Sequence, residues 1–182
     1  MNSANLVTLS RIALIPVVIA CYYSGLAQAH LIAAVIFIIA SVTDWLDGYL
    51  ARKLNQTSAF GAFLDPVADK LLVACILIML TAVYESLLLA TAIIITRELL
   101  VSALREWMAS QGERDVVKVA FIGKLKTTVQ MIAISALLLV SATTPELLWQ
   151  LGYWLIMLAA LLSIWSMIEY FNKARGILFK DS

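Results

Sequence analysis

Four aspartates, Asp44, Asp47, Asp65 and Asp69, fall within 26 residues at spacings of three, eighteen and four. The stretch reads DWLDGYLARKLNQTSAFGAFLDPVAD and has strongly apolar flanks. Carboxylates are costly in such surroundings, and an ionisable residue inside an apolar segment marks a functional site by default. A spacing of three or four puts each pair on one face of a helix. If the two helices run antiparallel, the pairs meet at one membrane depth and present four carboxylates to a common space. Four carboxylates remain ionised together only around cations, and such oxygen donors favour hard divalent ions such as Mg²⁺, Mn²⁺ or Ca²⁺. Two such ions side by side serve displacement at phosphorus. Gly48 directly follows Asp47, and Gly61 stands one turn before Asp65, which lets a bulky ligand approach closely. Arg52 follows beside the Asp44–Asp47 face and suits a diphosphate. A single aspartate would be accounted for by ion pairing with Lys70 or Arg52, or by helix capping. Asp65-Pro66 reads as a helix start with proline in the first turn. All four aspartates together with both glycines read as a metal-dependent site.

The elements that must carry these residues are membrane helices. The chain has 182 residues, is 63% hydrophobic and only 14% charged, with a mean hydropathy of +0.95, against about 45–50% apolar in soluble domains. Apolar segments are expected to span at about 8–26, 31–50, 65–84, 87–107, 124–142 and 148–169, each near the roughly 20 residues a helix needs to cross the hydrocarbon core. They lack period-2 alternation, which argues against a barrel. The fold class is therefore all-α, a polytopic membrane protein with six transmembrane helices and a single domain over 1–182. Residues 25–30, the turn near Glu85 and residues 141–147 carry no Lys or Arg. Arg52, Lys53, Arg105, Arg114, Lys118, Lys124, Lys126, Lys173, Arg175 and Lys180 all fall on the other side. The positive-inside rule makes both termini and both long loops cytoplasmic. Ala27-Gln28-Ala29 resembles a signal-peptide cleavage site, but the first segment is read as a retained span. Pro16 lies inside that span, where a membrane helix tolerates it. Cys21 and Cys75 offer neither metal-ligand spacing nor a disulfide framework. The net charge of +1 speaks against a nucleic-acid partner. Trp149, Tyr153, Trp154, Trp165 and Tyr170 read as an interfacial aromatic belt.

The positions Asp44, Asp47, Gly48, Ala51, Arg52, Gly61, Asp65 and Asp69 match the whole signature of the CDP-alcohol phosphotransferases without departure. The chain resembles that family of six-span membrane enzymes. The resemblance implies transfer of a phosphatidyl or similar group from a CDP-linked donor to an alcohol, with release of CMP. It implies that Asp44, Asp47 and Asp65 hold a first metal ion and Asp44, Asp65 and Asp69 a second, Mg²⁺ or Mn²⁺. It makes Asp69 the general base as well. Gly48, Arg52 and Ser58 match positions that contact the cytidine diphosphate, with Gly61 in the same donor site. The resemblance also implies a homodimer.

Residues outside the signature point to the alcohol. Asn5, Thr8 and Arg11 share one helical face before the first span, and this N-x-x-T-x-x-R arrangement resembles the start of the bacterial phosphatidylglycerophosphate synthases within the family. Asn5 and Thr8 are then donor-site residues. A second cluster reads Thr96-Arg97-Glu98 with Ser102 and Arg105, then Gly123-Lys124-Leu125-Lys126-Thr127-Thr128 and Gln130. Arg97 and Glu98 lie in an apolar helix and need a partner or a polar cavity. Arg97, Arg105, Lys124 and Lys126 together form a candidate cationic pocket for an acceptor that bears a phosphate dianion. Lys124 and Lys126 would otherwise serve to anchor the fifth span to anionic headgroups. About residues 4–172 fit the synthase pattern, which implies CDP-diacylglycerol as donor, sn-glycerol 3-phosphate as acceptor, membrane lipids as surroundings and a bacterial cytoplasmic membrane as location. Inositol phosphate or phosphatidylglycerol as acceptor are the rivals within the family. A divalent-cation transporter is the rival outside it, and leaves the Arg97–Lys126 cluster without a task.

Overall fold

A computed structural model describes the backbone of residues 3–54, 59–112 and 121–178, and side chains at 9–43, 64, 67–112 and 122–176. Six α-helices occur among the described residues: α1 Ser3–Tyr22, α2 Ala29–Leu54, α3 Ala59–Val83, α4 Leu88–Ser110, α5 Phe121–Leu139 and α6 Glu146–Leu178. One 3₁₀ turn, Glu85–Leu87, leads directly into α4. The described residues contain no strand. Helices answer the constraint that an apolar environment leaves backbone groups to satisfy one another. The unit Glu85–Ser110, Ile122–Leu139 and Glu146–Gly176 are long and apolar enough to cross a membrane, and Leu9–Tyr22 and Ala29–Thr43 are shorter apolar helices.

Local chemistry sets several helix ends. Gly25 (φ 68°) turns the chain between α1 and α2, and Gly112 (φ 83°) follows the last turn of α4, a left-handed conformation that glycine adopts without a Cβ penalty. Before α6, the Thr144 hydroxyl accepts from the Ser141 amide at 2.9 Å, and Glu146 in the first turn meets the positive end of the helix dipole. Several boundaries differ from the sequence expectation, three of them at ends that carry charged or signature residues. Helix α2 continues through Leu54, so Ala51, Arg52 and Lys53 belong to it rather than to a connection. Helix α3 begins at Ala59, so Pro66 falls inside it and does not mark its start. The apolar run Ala59–Leu64 extends the helix upstream, and membrane helices accommodate an internal proline. Helix α6 runs to Leu178, nine residues past the expected end at 169.

Helix α5 packs most extensively on α6, while α1 packs on both α2 and α3, α4 on α6, and α5 on α2 and α3. Phe37, Leu72, Ile76, Leu80, Ile94, Ile134, Leu137 and Ile156 are fully buried where these helices meet. Ala33, Ala34, Ala90, Ala133 and Ala159 sit among them, small side chains that let helix backbones approach. Leu88, Leu89, Leu99, Leu147, Leu158 and Leu161 point outward, an apolar exterior that fits a lipid solvent. Trp154 and Trp165 are exposed, as a belt requires. Tyr170 departs from the belt reading. It is buried with Val101, Leu104, Met108 and Ala174 in a small second core between α4 and α6. Trp149 also turns inward, its ring 4.5 Å from that of Tyr84. Cys21 and Cys75 are half-buried free thiols.

Candidate active site

Asp69 stands ten residues into α3, half-buried, and is the one signature aspartate whose side chain is described. It lines a cavity of about 250 Å³ where α3, α4, α5 and α6 converge. Lys70 and Val73 join it from α3, and Arg97, Glu98, Val101, Ser102 and Arg105 come from α4. Gly123, Lys126, Thr127, Gln130 and Met131 come from α5, and Tyr170 from α6. The order follows helical periodicity: Arg97, Val101 and Arg105 recur every four residues on α4, as do Gly123, Thr127 and Met131 on α5.

Ion pairs and hydrogen bonds join the helices around this cavity. Lys126 is almost wholly buried, at 1% exposure, and donates to Glu98, joining α5 to α4. Arg97 donates to the same carboxylate at 3.4 Å and to the Ser166 hydroxyl of α6. Its guanidinium also lies 5.7 Å over the Tyr170 ring centroid, within cation–π range. Lys70 donates to the Ser102 hydroxyl, joining α3 to α4. The physical cause is common to all of them, since a charge away from water demands a partner. Four cations, Lys70, Arg97, Arg105 and Lys126, face two carboxylates, Asp69 and Glu98, so positive charge exceeds negative by two among the described lining residues. Among the described residues, two polar atoms in this wall are buried without a partner, the Arg97 Nε donor and the Gln130 Oε1 acceptor.

The structure therefore brings Arg97, Arg105 and Lys126 together with Asp69. It does not bring Lys124 there. Lys124 is exposed and absent from the lining residues, although it is two positions from Lys126. Arg11, from the first-span motif, is buried at 4% exposure. The side chains of Asn5, Thr8, Asp44, Asp47, Gly48, Arg52, Ser58, Gly61 and Asp65 lie outside the described residues. The backbone sets Asp44 through Arg52 in one unbroken helix, α2, and Gly61 through Asp69 in another, α3. Helices α1 and α5 each pack on both. Among the described residues no cluster of three or more metal-ligating side chains occurs. Sequence reasoning took Lys70 only as an ion-pair partner and missed Ser166 and Tyr170 as parts of the site. A signal for the last two exists, because Ser163, Ser166 and Tyr170 recur at spacings of three and four along an apolar helix.

Comparison with known proteins places this geometry. The family model described as CDP-alcohol phosphatidyltransferase matches residues 1–165. The chain belongs to the CDP-alcohol phosphatidyltransferase family. All eight signature positions, and the whole α3–α4–α5 wall of the cavity, lie inside that matched range. Among curated members of the family, a protein of Pectobacterium atrosepticum is 48% identical over 182 residues, covering 98% of each chain. One from Salmonella choleraesuis is 46% identical over 186 residues, and one from Escherichia coli is 45% identical over 186 residues, each covering 97% of both chains. All three are named CDP-diacylglycerol–glycerol-3-phosphate 3-phosphatidyltransferase.

Proposed function

We propose that this protein transfers the phosphatidyl group of CDP-diacylglycerol to sn-glycerol 3-phosphate, giving phosphatidylglycerophosphate and CMP. One observation carries the reading: Asp69 shares a cavity with Arg97, Arg105 and Lys126, with two positive charges in excess among the described lining residues. That excess matches a phosphate monoester dianion. Near-full-length relatives that bear this activity in their names support the same acceptor. The buried Arg97 Nε without a partner is a donor that a phosphate oxygen would satisfy.

The family is divalent-metal dependent. The donor set fits such a requirement, since Asp44, Asp47, Asp65 and Asp69 are hard oxygen donors from two helices that share packing partners. In this reading Asp44, Asp47 and Asp65 hold one ion, and Asp44, Asp65 and Asp69 a second, Mg²⁺ or Mn²⁺. Bound there, the ions supply charge neutralisation at the diphosphate. Asp69 takes the proton from the primary hydroxyl of the acceptor. The freed oxygen attacks the phosphorus next to diacylglycerol, and the bond from that phosphorus to the CMP oxygen breaks. Arg97, Arg105 and Lys126 hold the acceptor phosphate, with Lys124 at the exposed approach. Asn5, Thr8, Gly48, Arg52, Ser58 and Gly61 hold the donor. The Lys and Arg distribution supports six spans with both termini and the site on the cytoplasmic face of a bacterial inner membrane. The family resemblance supports a homodimer.

The test uses purified protein, labelled CDP-diacylglycerol and three acceptors: glycerol 3-phosphate, inositol phosphate and phosphatidylglycerol. Lipid product and CMP are expected with glycerol 3-phosphate, and Asp69→Asn is expected to lower CMP release by roughly 10²–10⁴-fold. Product with another acceptor but none with glycerol 3-phosphate overturns the assignment.

A further inference from the structure

We propose that Gln130 is a specificity-determining residue that accepts a hydrogen bond from the acceptor's non-reacting hydroxyl. That hydroxyl sits on the carbon between the attacking hydroxyl and the phosphate. The inference rests on the acceptor reading above and extends it from the phosphate to the carbon chain. Gln130 is 3% exposed, lines the cavity shared with Asp69, and its Oε1 is buried with no hydrogen-bond partner among the described residues. Native proteins leave few buried acceptors in that state, and each such atom calls for a cause. Other polar groups in the wall are engaged. The Ser102 hydroxyl accepts from Lys70, and the Thr127 hydroxyl donates to the Gly123 carbonyl at 3.0 Å. Glu98 accepts from both Lys126 and Arg97.

Position agrees with this role. Gln130 lies four residues after Lys126, on the same face of α5 and one turn farther along. An acceptor with its phosphate on the cations and its attacking hydroxyl at Asp69 spans the cavity. Its middle hydroxyl then meets the rest of the wall, where Gln130 and Tyr170 stand with Val73, Val101 and Met131 beside the engaged Ser102 and Thr127. Tyr170 holds its ring under Arg97, which leaves the Gln130 carbonyl as the buried acceptor of this wall without a partner among the described residues. A site built to bind a substrate hydroxyl rejects the analogue that lacks it, because the site's own polar group is then left unpaired.

The probe is 3-hydroxypropyl phosphate, which keeps the phosphate and the primary hydroxyl but lacks the middle one. The wild-type protein is expected to prefer glycerol 3-phosphate over this analogue by roughly tenfold or more in kcat/KM. Gln130→Met keeps the length and removes the acceptor, and is expected to bring that ratio close to one. The KM for CDP-diacylglycerol should not move. The ratio does not depend on the fraction of folded protein, so a purely structural effect leaves it unchanged. Where turnover is too slow to read, the acceptor concentrations that half-saturate the rise in Tm give the corresponding ratio of affinities. An unchanged ratio in Gln130→Met, or no preference in the wild type, overturns the proposal. Absence of product from glycerol 3-phosphate in the wild type overturns the acceptor reading itself, and the Gln130 role with it.

Discussion

Lys124 and Lys126 look alike in the sequence, and the fold separates them. Residues two apart on a helix do not share a face, so Lys126 points into the cavity and is buried against Glu98 while Lys124 stays exposed. Nothing in their local sequence decides which of them turns inward; that depends on where α4 presents Glu98. Arg105 offers the cleanest test of the proposed phosphate pocket. It lines the cavity, is exposed, and has no ion pair among the described residues. Arg105→Ala is therefore expected to raise the KM for glycerol 3-phosphate by roughly tenfold, the worth of a hydrogen bond to a charged group. The KM for CDP-diacylglycerol and the Tm should stay near wild type. Lys124→Ala should change the glycerol 3-phosphate KM less than Arg105→Ala does. Steady-state kinetics with each substrate varied in turn read both variants, and equal KM effects on donor and acceptor would count against the pocket.

Helices α5 and α6 share the most extensive contact, and a glycine stands where they approach. A Cβ built at Gly152 would stand 2.8 Å from Cγ and Cδ2 of Leu137, and Leu137 is itself fully buried. Gly152→Val should therefore force the helices apart at a cost of about 1–3 kcal/mol, seen as a lower Tm in detergent. Because Tyr170 lines the cavity from α6 and Ser166 holds Arg97 there, activity is expected to fall along with stability. A Tm equal to wild type would mean that Leu137 yields without cost. Helix identities follow directly from apolar runs of near-membrane length. Helix ends follow less well, because Pro66 is compatible with an internal position and the polar end of α6 continues through Asn172 and Lys173. The Lys173–Glu169 pair, four residues apart at 2.6 Å, supports that added length as such pairs do on any helix.

Across the molecule, the outward-facing leucines and the charged convergence of α3, α4, α5 and α6 divide the surface into a lipid-facing part and a polar site. The proposed orientation puts that site and both termini on the cytoplasmic side, since every connecting Lys and Arg falls there. A reporter active only in the cytoplasm, fused after Ser182, is expected to be active, and the same reporter in the segment 141–147 to be silent. The reverse pattern would invert the topology and detach the site from water-soluble glycerol 3-phosphate.

The family was legible before any coordinates, because its signature is a matter of residue type and spacing along two helices, and short-range geometry translates that spacing into faces. The all-helical class was legible too, from composition and segment length. What composition and spacing left open was which of several basic residues gather around Asp69. Arg97, Arg105 and Lys126 lie between 28 and 57 positions from Asp69 in sequence, and only the packing of α3, α4, α5 and α6 brings them to one cavity. The same packing turned Tyr170 from a membrane-belt residue into the partner of Arg97, and left the Gln130 carbonyl buried without a donor among the described residues. Charge neutralisation inside an apolar fold is largely a long-range property: Arg97 has Glu98 beside it on α4, but Ser166, Tyr170 and the Lys126 that shares Glu98 are delivered by α6 and α5.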